Sequence, residues 1–149
     1  MERSASRRTA FTIALGVGLA ATLIAIIWMV VDRATTNSIS AHVTSLYSPY
    51  GDVPDPIVPW IFLYFTFGLG AICWAVTLLG SVRNAGWVRW FSTGCFLAGT
   101  VLLVFGFLVS EHNTAILSTG WRVVCLCMAI YGTVVMLIAW LPTTDRIRA

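Results

Sequence analysis

Residues 60–80 read WIFLYFTFGLGAICWAVTLLG, residues 81–90 read SVRNAGWVRW, and residues 91–110 read FSTGCFLAGTVLLVFGFLVS. Two uncharged apolar runs thus flank ten residues that carry Arg83 and Arg89. A helix closes its backbone hydrogen bonds internally and rises 1.5 Å per residue, so ~20 apolar residues cross a hydrocarbon core. Neither run alternates with period two, and each is about twice the length of a barrel strand. The stretch therefore predicts two membrane-crossing helices. The linker is short, with Asn84 and Gly86 as turn formers, so the two helices should be antiparallel neighbours.

Two further runs have the same character, residues 10–31 and residues 121–141, and only Arg122, at an end, is charged. The chain is 58% hydrophobic and 10% charged, whereas charged residues make up ~25% of soluble domains. The expected fold class is an all-α membrane protein, with residues 1–149 as a single four-helix transmembrane bundle. MERSASRR before the first run resembles a signal peptide. The run is too long for one and VVDRATTNS lacks a small-x-small cleavage site, so an uncleaved span is expected.

All nine basic residues are Arg. Arg3, Arg7 and Arg8 precede the first span, Arg83 and Arg89 join the second and third, and Arg146 and Arg148 follow the fourth. Short Arg-rich loops stay cytoplasmic, which predicts a multi-pass protein of the cytoplasmic membrane with both termini inside. The net charge of +3 then reflects topology and lipid headgroups, with membrane lipids and other membrane proteins or itself as partners, and no nucleic acid. Trp28, Trp60 and Trp121 fall at expected outer ends and Trp87, Trp90 and Trp140 at inner ends, as interfacial indoles do.

The loop 32–59 divides in two. Ile39, Val43, Leu46 and Tyr47 lie three to four apart, predicting a short amphipathic helix on the bundle top or the lipid surface. SPYGDVPDPIVPW, with four prolines, predicts an extended strap into the second span. EHNTAILSTG before the fourth span reads as a short turn with Ser118 or Thr119 as helix cap. The two short connections predict a tight core of spans two to four.

Helices approach closely in lipid through small residues at four-residue spacing. Ala14, Gly18, Thr22 and Ala25 form such a stripe, as do Cys125, Ala129 and Thr133, and Gly94 with Ala98. Gly18, Gly68, Gly99, Gly106 and Ala129 are the expected packing positions, so enlarging Gly99 should destabilise the bundle.

Proton or cation transport needs an ionisable group at depth, and no span interior holds one. Haem would need histidines within spans, yet His42 and His112 lie in outer loops. Cys125 and Cys127 are two apart on one helix and the outer loops hold no cysteine, so all four cysteines read as space fillers without redox function. Asp32, Arg33, Glu111, His112 and Arg122 gather at the outer face, without the spacing of metal ligands. An interfacial Glu111–Arg122 ion pair across the turn is expected, and no catalytic residue, metal or cofactor.

FLYFTFGLGAICW, with Leu63, Tyr64, Gly68, Gly70 and Trp74, precedes WVRWFSTGCFLAGT, with Trp87, Arg89, Trp90, Phe96, Gly99 and Thr100. Together they resemble a group of uncharacterised bacterial four-span membrane proteins. The resemblance covers spans two to four, implies fold and topology but no reaction, and makes Trp87, Arg89 and Trp90 an inner-interface anchor. The expected role is a non-catalytic accessory subunit or scaffold. The alternatives are a binder or permease for an apolar molecule, with Phe65, Trp74 and Phe105 lining its site, and an outer-surface enzyme using Glu111 and His112.

Overall fold

A computed structural model describes residues 2–51, 53–111 and 114–140. It contains helices α1 (Glu2–Ala34), α2 (Ser38–Tyr47), α3 (Ile57–Val82), α4 (Val88–Leu108) and α5 (Thr119–Trp140). A short 3-10 turn (Ser48–Tyr50) follows α2, and a two-stranded ribbon, β1 (Ser110–Glu111) with β2 (Thr114–Ala115), joins α4 to α5. Four helices, Arg8–Ala34 within α1 and all of α3, α4 and α5, are long and apolar enough to cross a membrane. Together they make this a multi-pass membrane protein.

The helices form a ring in which α1 packs on α3, α3 on α4, α4 on α5, and α5 back on α1. One end carries α2 and the ribbon, the cap end; the other carries the α3–α4 turn and the end of α5, the tail end. α3 begins three residues before the expected Trp60. Pro59 falls in its first turn, where a missing N–H costs nothing, and the Asp55 carboxylate accepts from the Ile57 amide at 3.0 Å.

At the cap end the chain reverses through Asn37, whose φ of 46° is a left-handed conformation that asparagine tolerates. The Asp32 carboxylate accepts from the Ser38 amide at 3.1 Å and hydroxyl at 2.6 Å, fixing the first turn of α2. Ile39 and Val43 then bury against Met29, Trp60, Leu63 and Trp121, while Leu46 and Tyr47 are half-buried. The amphipathic helix thus lies on the bundle top, on the spacing expected. The ribbon is new. It pairs Ser110 with Ala115 and Glu111 with Thr114, where a plain turn was expected.

The expected tight core of spans two to four is not what forms. Two apolar cores occupy the two ends, and α1 contributes to both. Met29 joins Trp60, Leu63, Phe67, Trp121 and Cys125 near the cap, and Phe11 and Leu15 join Val88, Val135 and Ala139 near the tail. The fully buried residues of α4 are Val88, Ser92 and Gly106, all towards its ends. Its middle carries Gly94, Cys95, Ala98 and Gly99, side chains too short to fill the space towards α3 and α5.

The glycines divide accordingly. A Cβ at Gly18 would lie 2.9 Å from the Trp74 ring, and one at Gly106 would lie 2.7 Å from Phe62, so a large side chain closes on each of these glycines. At Gly68 and Gly99 a Cβ would meet nothing within 4 Å, which corrects both expectations. A small residue permits approach, but contact also needs a large side chain opposite it. Gly80, against Val88 at 2.6 Å, and Gly132, against Phe96 at 3.1 Å, meet that condition without having been expected to.

Candidate functional site

A cavity of about 480 Å³ lies between α3, α4 and α5, backed by Leu15 and Thr22 of α1. On α3 its wall includes Thr66, Gly70, Cys73 and Thr77, spaced by four, three and four along one helical face, with Phe67, Leu69 and Trp74 beside them. On α4 the wall includes Ser92, Cys95 and Gly99, spaced by three and four. α5 adds Met128, Ala129, Gly132 and Met136. No charged side chain among the described residues lines it.

Two hydroxyls set this cavity apart. Thr22, Thr77, Thr93 and Thr133 each donate to the carbonyl four residues earlier, at 2.7–2.9 Å, as threonines in apolar helices do. Thr66 and Thr100 line the cavity and make no hydrogen bond, although their hydroxyl oxygens are shielded from water. Thr66 is 7% exposed. An unpartnered buried hydroxyl costs ~1–3 kcal/mol in proteins. Rotation about a single bond offers each hydroxyl either to its own helix or to the cavity.

Contacts at both ends fix the height of these groups. Phe62 meets Gly106 near the cap, and Gly80 meets Val88 near the tail. In both pairs the residue numbers add to 168, so Thr66 is level with Leu102, two residues, or ~3 Å, from Thr100. By helical rise the two threonines therefore sit within ~3 Å of the same depth on adjacent helices.

The expected outer-face cluster is not a single site. Asp32, 5% exposed, accepts from the Trp121 indole at 3.1 Å as well as from Ser38. Asn37 accepts from the Trp60 indole at 3.2 Å. Both tryptophans are buried donors inside the cap, which corrects their expected place as interfacial indoles, whereas Trp28 is exposed. Glu111 accepts from the Tyr47 hydroxyl, and the Arg122 guanidinium lies 4.4 Å above the Phe107 ring with Nε buried and unpartnered. The expected Glu111–Arg122 pair is thus replaced by a phenol for the acid and an aromatic face for the cation. Arg33 stands over Tyr64 at 6.0 Å, and His112 lies outside the described residues. The Glu111 carboxylate raises the Tyr47 phenol above its ordinary pKa. His42 Nε2 shares a 2.8 Å hydrogen bond with the Ala115 carbonyl, so α2 is tied to the ribbon twice.

At the tail end Trp87, Arg89 and Trp90 are exposed, and Trp90 makes an edge contact with Trp140 at 5.2 Å. Of the three aromatics expected to line a pocket between helices, Trp74 borders this cavity. Phe65 is exposed and borders neither this cavity nor a separate one of about 270 Å³ beneath the cap, which Phe105 borders. Sequence reasoning missed Thr66 and Thr100 because nothing in their flanking residues separates them from the threonines that bond their own helix. No family model, curated protein or solved structure matches the chain.

Proposed function

We propose that this is a non-catalytic protein of the cytoplasmic membrane that binds one apolar, lipid-like molecule in the cavity between α3, α4 and α5. The ligand's neutral polar head, a carbonyl or hydroxyl, meets Thr66 and Thr100, and its apolar body lies along Trp74, Leu102 and Met128. The buried, unpartnered hydroxyl of Thr66 carries this reading, because a bound head group would supply the missing hydrogen bond in a medium with no water to do so. A charged head is disfavoured, since the cavity wall offers it no counter-charge.

Size argues against the accessory-subunit alternative at this surface. A partner helix ~30 Å long and ~10 Å across occupies roughly 2,000 Å³ or more, several times the 480 Å³ here. In the membrane the cap end faces outward and both termini face the cytoplasm, by the Arg distribution. Trp87, Arg89 and Trp90 then sit at the inner headgroups.

The test is purification in mild detergent, followed by organic extraction and mass spectrometry of wild type and Thr66→Val. A single class of neutral lipid-like molecule enriched with wild type and depleted with Thr66→Val is expected. A lone protein without such a molecule would refute the binder, and a stoichiometric co-purifying protein would return the accessory subunit to first place.

A further inference from the structure

The same register brings together side chains that the sequence reading treated as packing. Cys73 is seven residues from Gly80, and Cys95 is seven from Val88, the residue that meets Gly80. From the other end, Cys73 is eleven residues from Phe62 and Cys95 eleven from its partner Gly106. Both ties place Cys73 level with Cys95 on facing walls of the cavity. A third sulfur follows from the α4–α5 ties. The Trp140 indole donates to Thr93 Oγ1 at 3.0 Å, and Phe96 packs on Gly132. Cys95 lies between Thr93 and Phe96, and Met136 lies midway between Gly132 and Trp140, so Met136 is within ~5 Å of the level of Cys95 by helical rise and also borders the cavity.

We propose that Cys73, Cys95 and Met136 form a binding site for a soft monovalent cation, Cu(I), in the tail-end half of the cavity. Thiolate and thioether sulfurs from three helices suit this ion, which accepts few and soft ligands, whereas Zn(II) asks for four ligands and accepts nitrogen and oxygen donors. The charge balances within the apolar wall. Cu(I) displaces one thiol proton to form a Cu–S bond, and the remaining thiol and the thioether bind as neutral donors. The complex is uncharged and one proton is released, with no change of oxidation state. The released proton has a short way out, since Cys95 is ~10 Å by helical rise from the start of α4 at Val88. Cys125 and Cys127 take no part. Cys125 is buried in the cap-end core and Cys127 is exposed, and neither borders the cavity.

The experiment uses the full chain in detergent, reduced and anaerobic, titrated with Cu(I) against a coloured Cu(I) chelator. Wild type should withdraw one equivalent from the chelator, as should Cys125→Ser/Cys127→Ser. Cys73→Ser/Cys95→Ser should withdraw none, and Met136→Leu should bind at least tenfold more weakly. Wild type that leaves the chelator fully loaded, or undiminished binding by Cys73→Ser/Cys95→Ser, would overturn the proposal. Should that double variant unfold, wild type alone decides. Ag(I), a redox-inert mimic, should shield Cys73 and Cys95 from N-ethylmaleimide while Cys127 reacts; equal alkylation with and without Ag(I) would also overturn it. Lipid-stripped protein is used throughout, so the result is independent of the apolar-ligand reading.

Discussion

Adding one methyl group at each of two glycines should move stability in opposite directions. At Gly99 a Cβ meets nothing within 4 Å, so Gly99→Ala should show only the helical gain of alanine over glycine, about 0.5–1 kcal/mol. At Gly80 the new Cβ would lie 2.6 Å from Val88 Cγ2 and 2.9 Å from the Trp87 ring, against an ordinary carbon separation of ~3.5–4.0 Å. Val88 is buried and β-branched, so it yields only if the backbone at the start of α4 shifts. Such overpacking costs ~1–3 kcal/mol and outweighs the helical gain. Gly80→Ala should therefore be the less stable variant by about 1–3 kcal/mol. Unfolding in mixed micelles at increasing denaturing detergent measures the order, with wild type between the two variants. Gly99→Ala losing as much as Gly80→Ala would mean that α4 packs tightly at mid-membrane, and would remove the cavity from the account.

Asp32→Ala strands the Trp121 indole and the Ser38 donors in the cap, at ~1–3 kcal/mol for each buried group left unpaired, whereas Asp32→Asn keeps one acceptor oxygen and should cost clearly less. Melting of the two variants in one detergent tests this, and equal losses would contradict it. The Tyr47–Glu111 bond depends on pH. With the phenol pKa raised by folding, its contribution is complete below the ordinary tyrosine range and is lost as pH rises through the raised value. Glu111→Gln should move the Tyr47 phenolate titration, isolated by subtracting Tyr47→Phe, to lower pH; an unmoved curve would break the assignment. For topology, reporters at the C-terminus and within residues 83–89 should read cytoplasm and one inserted near Val53 should read outside.

The spans were legible because lipid imposes a composition on every residue that faces it, and α3, α4 and α5 begin and end within a turn of the runs that announced them. α2 was legible from the spacing of Ile39 and Val43, which a single buried face requires. The ribbon at 110–115 was not, since two residues per strand carry no alternation to read. The cap network escaped for a different reason. Indoles at span ends suit the lipid interface and a buried carboxylate equally, and what assigns Trp121 to Asp32 is the reversal at Asn37, a feature of the folded backbone. The cavity was hidden by the property that small residues share with gaps. Gly106 and Gly99 look alike in sequence, but Phe62 stands opposite the first and nothing opposite the second. Cys73 and Cys95, 22 residues apart across a turn, become neighbours only through the α3–α4 register.

The most direct test of the proposed apolar ligand is to fill the cavity. Gly99→Phe projects a ring into the cavity from a position with free space around it, so the variant should fold and melt no lower than wild type. Intact-protein mass spectrometry from mild detergent should then find wild type carrying one lipid-like molecule per chain and Gly99→Phe bare. The same molecule on both proteins at equal occupancy, or a bare wild type, would contradict the assignment of this cavity as the binding site.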